Sequence, residues 1–240
     1  MKQLLKILAA LIIGASLSYN YVVTADNSNE YRKPSDYTYG LFDGKPIKIP
    51  VKLTNFPPIY QGQDPWKKGT GYGRSPKPGE SLEIRSFSLN LEHADLLGES
   101  ELNPGPLESS PFTAQFLVLQ GFPEDLKEYR DWLFSRMEKK TEYINGFSEE
   151  LKLYYAKPAN PELHGRQILY WRASEKDLVD TLIKCSGTHS ITSDPNRLCT
   201  LIYKTDFKNV RVELNFRHSL LGNWVQLKKK TQDLLISFFN

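Results

Sequence analysis

The two cysteines of the 240-residue chain, Cys185 and Cys199, are the residues whose spacing most directly suggests chemistry. As a free thiol, Cys185 could act as a nucleophile, with His189 as the base that lowers its pKa. As a bonded pair, the two would close a loop of about 15 residues and stabilise the fold by about 3 kcal/mol on the chain-entropy account. An even cysteine count in a chain with an export signal, described below, favours the disulfide, which removes the nucleophile.

Other segments that resemble catalytic motifs lack residues that those motifs require. Ser75 lacks the second glycine of a nucleophile elbow, and Pro76 supplies no N–H for an oxyanion hole. The glycines at positions 69, 71 and 73 lack the lysine and hydroxyl pair of a P-loop. The four histidines are far apart, and no Cys-x-x-Cys or His-x-x-x-His spacing occurs. The sequence therefore predicts no catalytic residue, no metal ligand and no cofactor.

Residues 56–79 form the segment that most resembles a recognition surface. Five prolines and five glycines in 24 residues exclude a helix or a central strand, so the segment must run over the surface. It carries aromatic and cationic side chains of the kinds that dominate interface energies. The predicted partner-binding residues are Tyr60, Trp66, Lys67, Lys68, Tyr72 and Arg74. The alternative is that the rings fold back and cover a sheet edge.

The first 25 residues resemble a secretory signal peptide. Lys2 and Lys6 precede an apolar stretch, and small residues end the segment at Ala25. The alternative is an uncleaved membrane anchor, because residues 4–23 are just long enough to cross a bilayer. In both cases the positive start stays in the cytoplasm and the remaining chain is exported, which predicts a bacterial periplasmic location, with inner-membrane anchoring as the alternative.

The formal charge of +3 comes mainly from this segment. Lys2 and Lys6 are the only charged residues among the first 25, so residues 26–240 carry 29 basic and 28 acidic groups. Such a balanced body has no strong long-range field, which argues against nucleic-acid binding.

Alternating apolar residues predict a series of strands. Residues 45–53 indicate an edge strand, because Pro46 and Pro50 cannot donate to a ladder. In residues 82–91 the apolar phase slips, which predicts a bulge near Arg85 and Ser86. A buried strand is expected at 112–120, and five more at 151–156, 167–171, 178–186, 198–204 and 210–216.

Two amphipathic helices are expected. The first covers residues 123–140, with Leu126, Tyr129, Leu133 and Met137 at helical spacing. The second begins at a capping Ser219 and continues to residue 239, with Trp224 in its apolar stripe. The run of lysines at 228–230 is interpreted as the solvated side of this helix.

Together these elements predict an α+β fold, in which a mostly antiparallel sheet carries two amphipathic helices on one face and contains one disulfide hairpin. The expected domains are a signal peptide or anchor at 1–25, an extended segment with the Pro/Gly-rich loop at 26–79, and an α+β domain at 80–240.

The functional hypothesis is an exported envelope protein that binds another macromolecule without catalysis, such as a periplasmic immunity or inhibitor protein. The expected partner is another envelope protein, with membrane contact only through an uncleaved N-terminal segment. One alternative is a membrane-anchored subunit of an envelope assembly. A second is a secreted hydrolase that uses dispersed acidic and histidine residues.

Overall fold

The structure is a computed structural model. It describes residues 36–69, 71, 76, 81–92, 96, 112–118, 126–137, 142–160, 167–173, 178–186, 198–205, 207 and 210–239, with backbone alone at 112–118. The described residues belong to one compact unit that begins at Asp36. The predicted signal peptide or anchor lies outside them.

The first elements in the described part of the chain form a small hairpin. Strands β1 (Tyr37–Phe42) and β2 (Lys45–Pro50) pair antiparallel, and the turn residues Asp43 and Gly44 both have positive φ. A two-residue hairpin turn of this type requires positive φ at both residues, because the twist of the turn then matches the twist of the two strands. The edge strand expected at 45–53 ends at Pro50, and a 3-10 turn follows it (Val51–Leu53). Within the extended segment expected at 26–79, Tyr37–Phe42 also form a strand.

Nine strands form the main sheet in the described part of the chain, in the spatial order β3-β4-β5-β11-β10-β9-β8-β7-β6. Every pair of neighbours is antiparallel. The last six strands follow one another as consecutive hairpins, and β5 joins them by pairing with β11. The strands are β3 (Ile59–Tyr60), β4 (Ile84–Leu91), β5 (Phe112–Val118), β6 (Tyr143–Ser148), β7 (Leu153–Pro158), β8 (Gln167–Ala173), β9 (Val179–Ser186), β10 (Leu198–Lys204) and β11 (Val210–Arg217).

Two register shifts redirect side chains in this sheet. Ile59 pairs with Ser86 and Tyr60 with Ile84, which leaves Arg85 as an extra residue and confirms the predicted bulge. A second shift lies between β8 and β9, where Arg172 pairs with Thr181 and Ala173 with Val179. The extra residue there is Asp180.

The described residues contain two helices of three turns or more, α1 (Leu126–Met137) and α2 (Trp224–Ser237). A 3-10 segment, His218–Asn223, precedes α2. Ser219 lies inside this segment and therefore does not cap the helix.

The helices pack on opposite faces of the sheet, rather than on the one face that the sequence analysis assigned to both. Helix α1 buries Leu126 and Leu133 in a cluster with Leu182 and Ile202. Helix α2 packs in the other, larger cluster, which contains Ile183 and Leu201, the residues next to Leu182 and Ile202 in the same strands. Adjacent side chains of a strand point to opposite faces of the sheet. The two clusters, and with them the two helices, therefore lie on opposite faces.

The larger cluster also contains the β1–β2 hairpin. Phe42 packs edge-on against Phe87 of β4, with ring centroids 5.1 Å apart, and the Lys48 N–H donates to the Phe238 carbonyl at 2.9 Å. Gly40 allows this approach, because a Cβ there would lie 2.7 Å from the Ile84 side chain. The hairpin and α2 therefore share one face of the sheet.

The disulfide is confirmed. Cys185 of β9 lies directly opposite Cys199 of β10, and the two are bonded and fully buried. The expected α+β class, the mostly antiparallel sheet and the disulfide hairpin are all present.

Candidate functional site

The first candidate surface is a turn at residues 64–69, here called the Trp66 turn. The Trp66 side chain is 93% exposed, and its backbone N–H donates to the Asp64 carboxylate at 2.9 Å. The Lys67 N–H donates to the Asp64 carbonyl at 3.2 Å. Asp64 therefore fixes the turn that displays Trp66, with Lys67 and Lys68 exposed beside it.

The base of this turn is held by a buried amide. The Gln63 side chain accepts a hydrogen bond from the Tyr60 N–H at 3.3 Å and donates to the Gly71 carbonyl at 2.8 Å. Since Gln63 is itself buried, these bonds are protected from water and position the turn.

Tyr60 is a core residue, which corrects its assignment to the recognition surface. Its ring is buried against the main core, and its hydroxyl donates to the Tyr39 carbonyl at 3.0 Å. Burial raises the pKa of Tyr60 to about 12. Of the other predicted residues, Trp66, Lys67 and Lys68 lie together, while Tyr72 and Arg74 lie outside the described residues.

The second candidate surface was not predicted from the sequence. Phe147 of β6, Tyr154 of β7 and Trp171 of β8 lie directly opposite one another and form one row on the α1 face of the sheet. Ring centroids are 5.0 Å apart between Phe147 and Tyr154 and 5.8 Å apart between Tyr154 and Trp171. Phe147 is 43% exposed and Tyr154 44% exposed, so helix α1 leaves the outer part of the row open.

Helix α1 forms the other wall of this surface. Phe134 meets the Trp171 ring edge-on at 5.5 Å, and the Arg130 guanidinium lies 5.3 Å from the same ring. Arg130 also forms an ion pair with Asp131 at 2.7 Å. The space between helix and sheet, here called the aromatic groove, has a volume of about 740 Å³ and is lined by Arg130, Asp131, Phe134, Ser135, Asn145, Gly146, Phe147, Tyr154 and Trp171.

A charged network lies on the opposite face, at the bulge in β9. Arg172 donates two hydrogen bonds to Asp180, and its guanidinium lies 5.4 Å from the Trp224 ring. Lys228 of α2 donates to the Thr181 hydroxyl at 2.9 Å and lies 3.7 Å from Asp180. Lys228 therefore faces the sheet. This corrects the prediction that the whole lysine run at 228–230 lies on the solvated side of α2.

This network determines the protonation of Asp180. Burial raises the pKa of Asp180, but the hydrogen bond from Arg172 and the positive charges of Lys228 and Arg172 outweigh it, so the pKa lies below its ordinary value. The carboxylate thus stabilises the folded state above the unfolded pKa of about 3.9, and this contribution is lost as the pH falls through the lower folded pKa.

We expect Asp180→Asn to lower the free energy of unfolding at about pH 7 by less than about 1 kcal/mol, because the side chain is nearly half exposed and solvent screens the ion pair. Urea unfolding of both proteins between about pH 7 and pH 2 should show the difference shrinking below about pH 4. A difference that stays constant over this range would mean that the carboxylate charge is not its source.

No group of three or more His, Cys, Asp and Glu side chains in the described residues could hold a metal ion. The disulfide occupies both sulfurs, so neither acts as a thiol nucleophile while it is intact. In the part of the chain that the structure describes, none of the helices combines the length and apolar character needed to span a bilayer.

The architecture places the chain among α+β proteins with a large antiparallel sheet and a helix on each face. No family model and no curated protein matches the sequence. The structure is similar to Smlt3025, an immunity protein of the Stenotrophomonas maltophilia type IV secretion system, with a TM-score of 0.48 and 14% identity over 84% of this chain and 94% of that one. It is also similar to the iron-regulated outer membrane lipoprotein FrpD of Neisseria meningitidis, with a TM-score of 0.47 and 12% identity over 86% of this chain and 93% of that one. Both TM-scores are below 0.5, so neither likeness assigns a function to this chain.

Proposed function

We propose that this protein is an exported, non-catalytic module that binds another protein in the bacterial envelope through the Trp66 turn. The observation that carries the proposal is the near-complete exposure of Trp66 on a turn fixed by Asp64. One specific form of this function would be that of an immunity or inhibitor protein, which binds an exported toxin.

Two physical features suit the Trp66 turn to recognition. A tryptophan buried on binding removes a large apolar area from water, and tryptophan is enriched among residues that dominate interface energies. The hydrogen bonds to Asp64 and those of Gln63 hold the turn before binding, so less conformational entropy is lost when a partner docks. Lys67 and Lys68 favour an acidic partner surface with a cleft for the indole.

The compartment is supported by the disulfide. A buried bond between Cys185 and Cys199 persists in an oxidising environment such as the periplasm and is rare in the cytosol. The signal-like pattern of residues 1–25 supports the same compartment.

We expect Trp66→Ala to reduce capture of the partner by at least about tenfold and to change the free energy of unfolding by less than about 0.5 kcal/mol. The measurement is quantitative affinity capture from the envelope of the native host, together with thermal unfolding of the purified protein. Trp132→Ala is the matched control, because Trp132 is an exposed tryptophan on α1, outside the turn. Unchanged capture together with a lower melting temperature would show that Trp66 has a packing role and would overturn the proposal.

A further inference from the structure

The outer end of the aromatic groove presents an open aromatic ring. Phe147 is the last ring of its row, because β6 is the last strand in the described part of the sheet. The Tyr154 ring meets it at an interplanar angle of 66° and covers at most one face of the Phe147 ring. The 43% exposure of Phe147 places the rest of this ring in solvent, where it offers a flat apolar surface to a ligand.

Polar groups with unused hydrogen-bonding capacity surround this ring. Asn145 and Tyr154 both line the groove, and neither the Asn145 amide nor the Tyr154 hydroxyl forms a hydrogen bond within the described residues. Both contacts from the Arg130 guanidinium reach the same oxygen of Asp131, Oδ1, which leaves Oδ2 open to solvent. An amide, a phenol and a carboxylate together can both donate and accept. The groove therefore offers hydrogen bonds at the margin of an aromatic surface.

The charges around the groove select neither a cation nor an anion. Arg130 and Asp131 are the only charged residues among those that line it, and they pair with each other at 2.7 Å. The surrounding sequence, residues 126–158, is also balanced, with seven basic and six acidic residues. A charged ligand would lose hydration in the groove without a matching gain from the local charges. Charge complementarity therefore favours an uncharged ligand.

The polar groups then distinguish between two kinds of uncharged ligand. An acyl chain would cover the Asn145 amide and the Tyr154 hydroxyl without replacing their hydrogen bonds to water, which is unfavourable. A sugar ring has an apolar face of C–H groups that can pack on an aromatic ring, and hydroxyl groups around its edge that can bond to amide and carboxylate groups.

We propose that the aromatic groove binds an uncharged oligosaccharide, with one sugar ring stacked on Phe147 and its hydroxyl groups bonded to Asn145 and Asp131. The groove volume of about 740 Å³ lies in the range of sites that hold small ligands. The site is separate from the Trp66 turn, so this inference does not depend on the function proposed there.

The probes are three uncharged trisaccharides, maltotriose, cellotriose and chitotriose, and decanol represents an acyl chain. We expect at least one of the sugars to bind with a Kd below about 1 mM, and this Kd to change less than about twofold when salt is raised. Saturation-transfer NMR with irradiation of the aromatic protons should give the strongest transfer to the C–H groups on one face of a sugar ring. Binding of none of the three sugars, with or without binding of decanol, would overturn the proposal, as would a severalfold dependence of the Kd on salt.

Matched variants separate the groove from the opposite face of the same strand. We expect Phe147→Ala to weaken binding of the sugar at least about fivefold, and Phe147→Tyr, which keeps the ring, to retain it. Ile144→Ala should leave binding within about twofold, because Ile144 is 46% exposed, close to the value for Phe147, but lies on the other face of the sheet.

Two further variants complete the test. Asn145→Ala should weaken binding at least about threefold through the lost hydrogen bonds, while Trp66→Ala should not affect it. Equal effects of Phe147→Ala and Ile144→Ala would contradict the proposed site. A concentration-dependent dimer that Phe147→Ala dissociates would assign the groove to a second copy of the chain and would contradict the proposed ligand.

Discussion

Replacing Trp224 with alanine should lower the free energy of unfolding by about 3–5 kcal/mol. The Trp224 ring is 2% exposed in the larger core cluster, and its indole N–H donates to the Leu151 carbonyl at 3.0 Å. Truncation would therefore leave a cavity and leave the Leu151 carbonyl without its donor. It would also remove the ring over which the Arg172 guanidinium lies.

Urea unfolding of Trp224→Ala beside Trp132→Ala measures this effect. Trp132 is 46% exposed, so the same substitution there should cost less than about 1 kcal/mol. Trp224→Phe keeps most of the apolar volume but loses the indole donor, and should fall between the two. A loss below about 1 kcal/mol for Trp224→Ala would mean that α2 does not anchor the sheet through this residue.

The second large effect is expected from removing the disulfide. The double variant Cys185→Ala with Cys199→Ala should lose about 2–4 kcal/mol, because the unfolded chain regains the freedom of the closed loop. For a chain of this size, that loss corresponds to a fall in melting temperature of roughly 4–16 °C. Calorimetry of the variant and of the unreduced protein measures the difference.

Mass spectrometry after alkylation provides the control for this prediction. In protein unfolded in denaturant without a reductant neither sulfur should react, because the two cysteines are bonded to each other. Two alkylated thiols in protein from the envelope fraction would contradict the disulfide, and with it the compartment that we propose.

Features determined by a short stretch of sequence could be predicted. The slip of apolar phase at Arg85 and Ser86 identified a bulge, because a buried face must stay continuous along a strand. The disulfide pairing was predicted because a single hairpin brings Cys185 and Cys199 opposite one another.

The aromatic groove could not be predicted, because it depends on register between separate segments. Phe147, Tyr154 and Trp171 form a row only after three strands have paired. Strand β6 was also missed, because Asn145-Gly146 is typical of a turn. In the structure the two residues continue the strand, and the Tyr155 hydroxyl lies 2.5 Å from the place where a Cβ of residue 146 would be.

The placement of the helices was wrong for a related reason. Strands β9 and β10 each contain adjacent buried residues, Leu182 with Ile183 and Leu201 with Ile202. Such continuous apolar runs indicate a strand covered on both faces, whereas the predicted fold has both helices on one face. This signal was present in the sequence, and it required a helix on each side of the sheet.

The pairing of β5 with β11 has a consequence for how the chain folds during synthesis. The six strands β6–β11 are linked by local hairpins, whereas β5 and β11 are far apart in the chain, so their contact carries a large loop-closure entropy. The Lys48 N–H likewise donates to an acceptor that is distant in the sequence, the Phe238 carbonyl, which follows helix α2. A nascent chain can therefore form the local hairpins of β6–β11 early, but it cannot complete the sheet and the hairpin contact until helix α2 and the residues after it have been synthesised.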